Sequence, residues 1–555
     1  MKHAVAHLPG EIVKRNGLRV PFEKEKIVVA IAKAGNATGE LDASMAAVLA
    51  EEVLSLITVP VPSVEHVQDL VEHVLMRQYG ATAKAYILYR AERAENRQEF
   101  GRVPEHVRAL SEESKKYFTG NPLGEFVYLR TYARWIEEEG RRETWVETVD
   151  RYLAFMRENL NDALTDYEYE EVRHAILTQD IMPSMRLMQF AGEAARRCNT
   201  CAYNCTFIAP TSLQDFAEIM YLSMQGCGVG FSVESEHVER LPQIQKQTGL
   251  MLPIHIVADS KEGWCDALVA GLSAWYDGSD IVFDYSQVRP AGARLKTMGG
   301  KASGPEPLKS LLTFARERIL KRAGRRLRPI DVHDIICKIG ECVVAGGVRR
   351  TAMISLSDLD DAEMRDAKQG QFYLTHPHRS VANNSAVYQS TPTSAELMEE
   401  WIALMHSGSG ERGIFNRFGL ASQLPERRRN YFASIGFLAP DGSVRGAVGT
   451  NPCGEIILQS KQFCNLSEVI ARPDDTRESL VRKTRLAALI GTYQSTLTNF
   501  KYISKDWQKH CEEERLLGVS VTGQWDSNAA REAETLSAMR EEAIRANQEY
   551  AQRFG

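Results

Sequence analysis

Ala447-Val-Gly-Thr-Asn451-Pro-Cys453-Gly-Glu455-Ile-Ile-Leu-Gln-Ser-Lys-Gln-Phe-Cys464-Asn-Leu466 sets an amide, a thiol and a carboxylate at alternate positions of one short stretch. In an extended chain a period of two turns Asn451, Cys453 and Glu455 to one side. Pro452 and Gly454 favour a loop tip over a central strand. No histidine stands nearby to lower the thiol pKa, and the carboxylate two positions on raises it. A thiol kept neutral suits the loss of a hydrogen atom, working as a thiyl radical while Glu455 accepts a proton and the Asn451 amide orients a substrate hydroxyl. Taken singly, such residues are a buried cysteine or a turn asparagine; together they are far more specific.

The Asn-x-Cys-x-Glu block followed by Cys464-Asn465-Leu466 resembles the finger loop of the catalytic chain of ribonucleotide reductases, most of all the adenosylcobalamin-dependent (class II) branch. That resemblance implies a radical at Cys453 that abstracts the ribose 3′-hydrogen, Glu455 as acceptor of the 3′-hydroxyl proton, and Asn451 as a ribose ligand. Cys464 becomes one half of the reducing dithiol. The implied fold is α/β: a ten-stranded barrel of the ribonucleotide reductase type, preceded by a small, mainly helical ATP-cone domain.

A chain of 555 residues exceeds a single comfortable core. The formal net charge of −6 gives no reason to expect a nucleic-acid partner. The sequence has no apolar run of about 18 residues and no signal-peptide core, so a cytoplasmic protein without a membrane partner is expected. Ten cysteines are too sparse for a disulfide scaffold, and in a reducing compartment a cluster reads first as metal-binding or catalytic.

Residues 11–27 read as two short strands around an Asn16-Gly17 turn, and helical periods follow through Ile27, Ile31, Val64, Val67, Leu70, Val71, Val74 and Leu75. Val13, Lys14, Arg15, Gly17, Phe22, Lys26, Ile27, Tyr86, Tyr89 and Arg90 match the signature of the ATP-cone. The resemblance implies an ATP or deoxynucleotide effector site on Lys14, Arg15, Asn16, Gly17, Phe22 and Lys26. On composition alone the cations are a solvated basic face. The expected boundaries are 1–100 for the cone and 101–555 for the catalytic part, with a linker near 94–110.

Residues 111–180 read as helical. Ser184, in Met-Pro-Ser-Met-Arg, is either a helix N-cap or, by resemblance, a substrate ligand. Cys198-x-x-Cys201 has zinc spacing, but no second pair completes it, and no metal is expected. By resemblance Asn204-Cys205-Thr206 carries the other reducing thiol, so that Cys205 and Cys464 form a disulfide as the 2′-hydroxyl leaves as water. Gly226-Cys-Gly-Val-Gly-Phe231 lacks the dinucleotide-loop spacing and reads as a glycine-lined helix-to-strand turn. It resembles the turn that sets Gly228 beside the substrate with Asn204. Ser212 and Leu213 stand where dimeric relatives hold the effector, and Arg349-Arg350 lie in a segment like the loop that passes effector identity to the substrate. The loop 289–308, rich in glycine and cations, resembles a stretch of cobalamin-dependent relatives, and an insertion is expected at 240–330.

Residues 481–522 read as helical. A Pro-Ser-Gly-Thr phosphate loop and a C-terminal dithiol, both expected in the family, are not found in the sequence. The last barrel strands are therefore expected to be absent or supplied by a companion chain. The reading is a ribonucleotide reductase acting with adenosylcobalamin, ATP or deroxynucleotide effectors and a thioredoxin-like or small-thiol reductant. The alternatives are an inactive or split nucleotide-binding fragment, and a large subunit served by a metal-radical small subunit.

Overall fold

The structure, a computed structural model, describes residues 9–14, 19–100, 105–293, 302–345 and 352–555. The chain divides into two compact units, Met1–Ala109 and Leu110–Gly555.

In the first unit β1 (Glu11–Val13) pairs antiparallel with β2 (Arg19–Pro21), Ile12 opposite Val20. Four helices follow: α1 (Glu25–Thr38), α2 (Ala43–Ser55), α3 (Val64–Gln78) and α4 (Gly80–Phe100). Asp42 and Ser63 start α2 and α3 by accepting the Met45 and His66 amides at 2.9 and 3.1 Å. Ile27, Ile31, Leu49, Val53, Val71, Leu75 and Tyr86 fill the core, as the 3–4 spacing predicts. Arg90 pins α4 to α3 through Glu65 (2.5 Å), Asp69 (2.7 Å) and Glu72 (2.7 Å). The expected Asn16-Gly17 turn lies outside the described residues.

In the second unit, after the helix Pro122–Thr131 and a short hairpin over residues 135–142, come α5 (Trp145–Leu160) and α6 (Asp166–Leu177), each begun by a Thr-x-x-Glu capping box. Next come β3 (Ile181–Met182), α7 (Met185–Phe190), β4 (Cys205–Ile208), α8 (Leu213–Gln225) and β5 (Gly228–Ser232). The long connection after β5 carries α9 (Lys261–Tyr276), α10 (Glu306–Leu320) and α11 (Pro329–Ala345). It returns to β6 (Met353–Asp358), β7 (Ala382–Tyr388) and β8 (Gly413–Asn416), followed by α12 (Glu426–Ser434). The hairpin β9 (Val448–Thr450) and β10 (Ile457–Gln459), then β11 (Gln462–Phe463), β12 (Leu466–Ile470), α13 (Arg477–Ser495), α14 (Lys505–Glu514), β13 (Gly518–Thr522) and α15 (Ala533–Phe554) complete it.

Strands β4 to β8 lie side by side, parallel and in chain order, with β11 added antiparallel on β4. A second sheet has β12 between β13, parallel, and β3, antiparallel. Among the described residues no strand pairing joins these two sheets; β8 and β13 each pair on one side only. The stretch 518–522, expected to be helical, is a strand: its Val519 and Val521 alternate inward, and a β-branched period of two outweighs the helical pattern before it.

Side chains alternate across the main sheet. Ile208, Val229 and Phe231 face the helical layer, and Phe207, Leu356 and Val387 face the opposite core with Phe432, Val448 and Leu458. On that second face β5 carries only the small residues Gly228, Gly230 and Ser232. The hairpin lies there.

Candidate active site

The finger-like hairpin is built by its own turn chemistry. Gly454 at φ 82° reverses the chain, and its N–H donates to the Asn451 carbonyl at 3.0 Å. Asn451 Oδ1 accepts the Ile456 N–H at 3.0 Å, closing the tip from within. The expected common side for Asn451, Cys453 and Glu455 therefore breaks down. Asn451 is wholly buried while Cys453 and Glu455 are exposed, because the turn replaces the extended period of two. The Asn451 Nδ2 has no hydrogen-bond partner among the described residues; a buried donor left unspent is costly.

Gly228 and Gly230 let this hairpin approach. A Cβ on Gly230 would stand 2.0 Å from the Thr450 carbonyl oxygen, and one on Gly228 would stand 3.1 Å from Pro452 Cγ and 3.5 Å from Cys205 Sγ. Cys205 begins β4 in register with Gly228. Antiparallel pairing of β11 with β4 then delivers Cys464 opposite Cys205, its N–H donating to the Cys205 carbonyl at 2.9 Å. The thiols of Cys453 and Cys464 both lie close enough to the Cys205 thiol to set its ionisation. All ten cysteines are free, and Cys453 is the exposed one.

These contacts set the thiol chemistry. Cys205 beside it, then burial, then Glu455, push the Cys453 thiol well above the usual range. The hydrogen bond from Cys453 favours a Cys205 thiolate, but Cys464 and burial outweigh it and Cys205 also stays protonated. Both thiols hold hydrogen atoms to give, and neither is an ionised nucleophile.

Ser184 caps α7: its Oγ accepts the Leu187 N–H at 3.4 Å and donates to the Ala202 carbonyl at 3.2 Å. Asn204 Oδ1 accepts the Arg186 N–H at 3.1 Å, one position before Cys205. Ser212 caps α8, where Asp215 Oδ2 accepts the Thr211 and Ser212 N–H groups at 2.8 and 2.9 Å, and Leu213 is its first helical residue. The thiols of Cys198 and Cys201 point into local hydrogen bonds, to Thr200 Oγ1 at 3.3 Å and to the Cys198 carbonyl at 3.4 Å. No metal-holding cluster occurs among the described residues. Lys14 is exposed, Lys26 pairs with Glu23 at 2.7 Å, and Phe22 packs against the core of the first unit. Arg15, Asn16, Gly17, Arg349, Arg350 and part of the 289–308 loop lie outside the described residues.

Sequence reading missed Glu234, Arg417, Arg428 and Glu514, which form buried ion pairs against the two strands of the hairpin. Partners so distant in sequence leave no local signal.

Three family models match: the ATP cone domain over residues 10–95, the ribonucleotide reductase alpha domain over 103–182, and the insertion domain of B12-dependent ribonucleotide reductase over 232–319. The chain belongs to the ribonucleotide reductase family. Among ribonucleotide reductases, the adenosylcobalamin-dependent ribonucleoside-triphosphate reductase of Lactobacillus leichmannii is 31% identical over 476 residues, 72% of this chain and 61% of that protein. The Euglena gracilis reductase of the same name is 29% identical over 75% of this chain and 58% of its own length. The chain thus spans about three fifths of the curated ribonucleotide reductases it matches. A crystal structure of a B12-dependent (class II) ribonucleotide reductase shares the fold, with a TM-score of 0.64 at 24% identity over 81% of this chain and 73% of that one.

Proposed function

We propose that this chain carries the radical and reducing thiols of an adenosylcobalamin-dependent ribonucleotide reductase, which replaces the ribose 2′-hydroxyl by hydrogen to make deoxyribonucleotides for DNA synthesis. The observation that carries this reading is the strand register that sets Cys464 opposite Cys205, its N–H donating to the Cys205 carbonyl at 2.9 Å, with the Cys453 thiol beside them. The names of the relatives favour ribonucleoside triphosphates as substrates.

In this reading Cys453 takes the 3′-hydrogen atom, and the exposed Glu455 accepts the 3′-hydroxyl proton. The unspent Asn451 Nδ2 donates to a ribose hydroxyl, with Ser184, Asn204 and Gly228 bordering the sugar. As the 2′-hydroxyl leaves as water, Cys205 and Cys464 together give up two electrons and two hydrogens, and an S–S bond forms between them. Their place as a hydrogen-bonded antiparallel pair supports this, since such residues lie with Cα atoms about 5.5 Å apart, inside disulfide range. A thioredoxin-like protein or small thiol then restores the dithiol. Adenosylcobalamin, when bound, supplies the carbon radical that removes the Cys453 hydrogen atom. The exposed tip with Cys453 and Glu455 fits its approach, and the resemblance of the 289–308 stretch to cobalamin-dependent relatives supports the choice of this group.

The first unit would bind ATP or a deoxynucleotide through Lys14, Arg15, Asn16, Gly17, Phe22 and Lys26 as an activity effector. A second effector near Ser212 and Leu213 would act through Arg349 and Arg350. We place the enzyme in the cytoplasm, where a reducing pool keeps its cysteines free; no described helix is long and apolar enough to cross a membrane. The unpaired outer edges of β8 and β13 support further strands pairing there, as from a companion chain.

The test is reduction of ribonucleotides with adenosylcobalamin and dithiothreitol, with and without a companion carrying a Pro-Ser-Gly-Thr loop. Turnover that disappears in Cys453→Ser while nucleotide binding persists supports the reading. Turnover retained by Cys453→Ser refutes the radical assignment, and none under any condition leaves a binding fragment.

A further inference from the structure

The hairpin that bears Cys453 is gripped by two buried ion pairs from four separate elements, one at its root and one where its tip begins. Arg417, just past β8, forks onto Glu234, just past β5: Nη1 to Oε1 and Nη2 to Oε2, both at 2.7 Å. The same Nη2 donates to the Val448 carbonyl at 2.7 Å, on β9. Arg428 of α12 forks onto Glu514 at the end of α14, Nε to Oε1 at 2.7 Å and Nη2 to Oε2 at 3.0 Å. Its Nη1 donates to the Ile457 carbonyl at 2.7 Å, on β10. Each strand of the hairpin thus has one carbonyl held by a guanidinium that is itself forked onto a carboxylate; Arg417 Nε has no partner among the described residues.

Further bonds fix the carboxylates. Ser232 Oγ donates to Glu234 Oε2 at 2.8 Å, and Gln462 Nε2 donates to Glu514 Oε2 at 2.9 Å. Gln462 lies on β11, two residues before Cys464, so the second pair joins the Cys453 hairpin to the Cys464 strand. The side chains of Arg417 and Glu234 are 2% and 4% exposed, and those of Arg428 and Glu514 are 11% and 2%. Burying such pairs loses about as much hydration as it returns in attraction, so a well-packed apolar replacement is often neutral for stability. What a planar fork supplies that an apolar side chain does not is direction.

We propose that Arg417 and Arg428 are positioning residues for Cys453, a two-sided clamp that sets the hairpin depth so that its thiol meets Cys205. The proposal rests on the reading of Cys453 as the reacting thiol. Its consequence for hairpin geometry is read without turnover.

The experiment measures Cys453 alkylation by N-ethylmaleimide in the full chain, by peptide mass spectrometry, alongside chemical unfolding. The variants are Arg417→Lys, Arg428→Lys and the doubles Arg417→Met with Glu234→Leu and Arg428→Met with Glu514→Leu. The control double, Arg379→Met with Asp334→Leu, removes a buried pair away from the hairpin, joined at 2.7 and 2.9 Å. The clamp predicts alkylation roughly tenfold faster in the clamp variants, a change of about 1.4 kcal/mol, with the control unchanged at matched stability. If a double variant does not fold, the lysine variants carry the test, because they keep the charge and lose the fork. Wild-type alkylation rates in folded clamp variants overturn the proposal, as does an equal rise in the control. If the clamp variants loosen Cys453 but Cys453→Ser still turns over, the clamp stands and the catalytic reading falls.

Discussion

Gly230→Ala tests the close approach of the hairpin to β5. A Cβ there would sit 2.0 Å from the Thr450 carbonyl oxygen, where ordinary contact begins at 3.4 Å, so the oxygen must retreat by 3.4 − 2.0 = 1.4 Å. The obstacle is backbone one residue before Asn451, and it cannot swing aside as a side chain would. Overpacking of this kind costs about 1–3 kcal/mol of stability. A misplacement of about 1 Å at a reacting group costs on the order of 10²-fold in rate. Gly228→Ala is the matched comparison, since its new Cβ meets a proline ring carbon at 3.1 Å and needs a shift of only 3.4 − 3.1 = 0.3 Å. The assays are chemical unfolding, single-turnover reduction and Cys453 alkylation on both variants beside the parent. Gly230→Ala should lose the rate and speed Cys453 alkylation, while Gly228→Ala keeps the parent's stability and alkylation rate. Equal behaviour of the two, or parent-like thiol reactivity in Gly230→Ala, would refute the argument that this contact sets the hairpin.

Cys205→Ser and Cys464→Ser should each give at most about one turnover with external thiol present, measured as product per enzyme; sustained cycling would contradict the dithiol role. The Arg553 guanidinium, helped by Thr165 and opposed by burial, holds Glu168 down at about 2. A carboxyl lowered on folding stabilises above its unfolded value of about 4.3 and loses that contribution as pH falls toward the folded one. Limited proteolysis should therefore show α15 loosening between about pH 4 and 2, and Glu168→Gln should loosen it already at neutral pH and flatten that dependence. Asp334→Asn, which strands the buried Arg379 guanidinium, should cost about 3–5 kcal/mol in chemical unfolding.

The chemistry-bearing residues were legible because their types are rare in combination and their turn residues are local. Pro452 and Gly454 marked a tip, and Gly226 a helix end whose left-handed φ of 88° the structure reports. The glycines of β5 could be read as a turn, but the hairpin above them comes from over two hundred residues later and left no trace in their spacing. The same holds for Arg417 and Glu234, 183 residues apart. An extended chain would put Asn451 on one side with Cys453 and Glu455, but its own side chain closes the turn, a local bond that overrides strand alternation. Residues 518–522 were lost to the helical rhythm before them, although Val519 and Val521 already carried a strand signal.

The bond from Thr206 Oγ1 to the Gln462 carbonyl spans 256 residues, and beside it lies the pairing that brings Cys205 to Cys464. Contacts so far apart are the slowest to form, and a chain emerging from the ribosome holds Cys205 long before Cys453 has been made. The sulfur cluster is therefore complete only in a finished molecule, and a half-synthesised chain has no means of starting chemistry that it could not end.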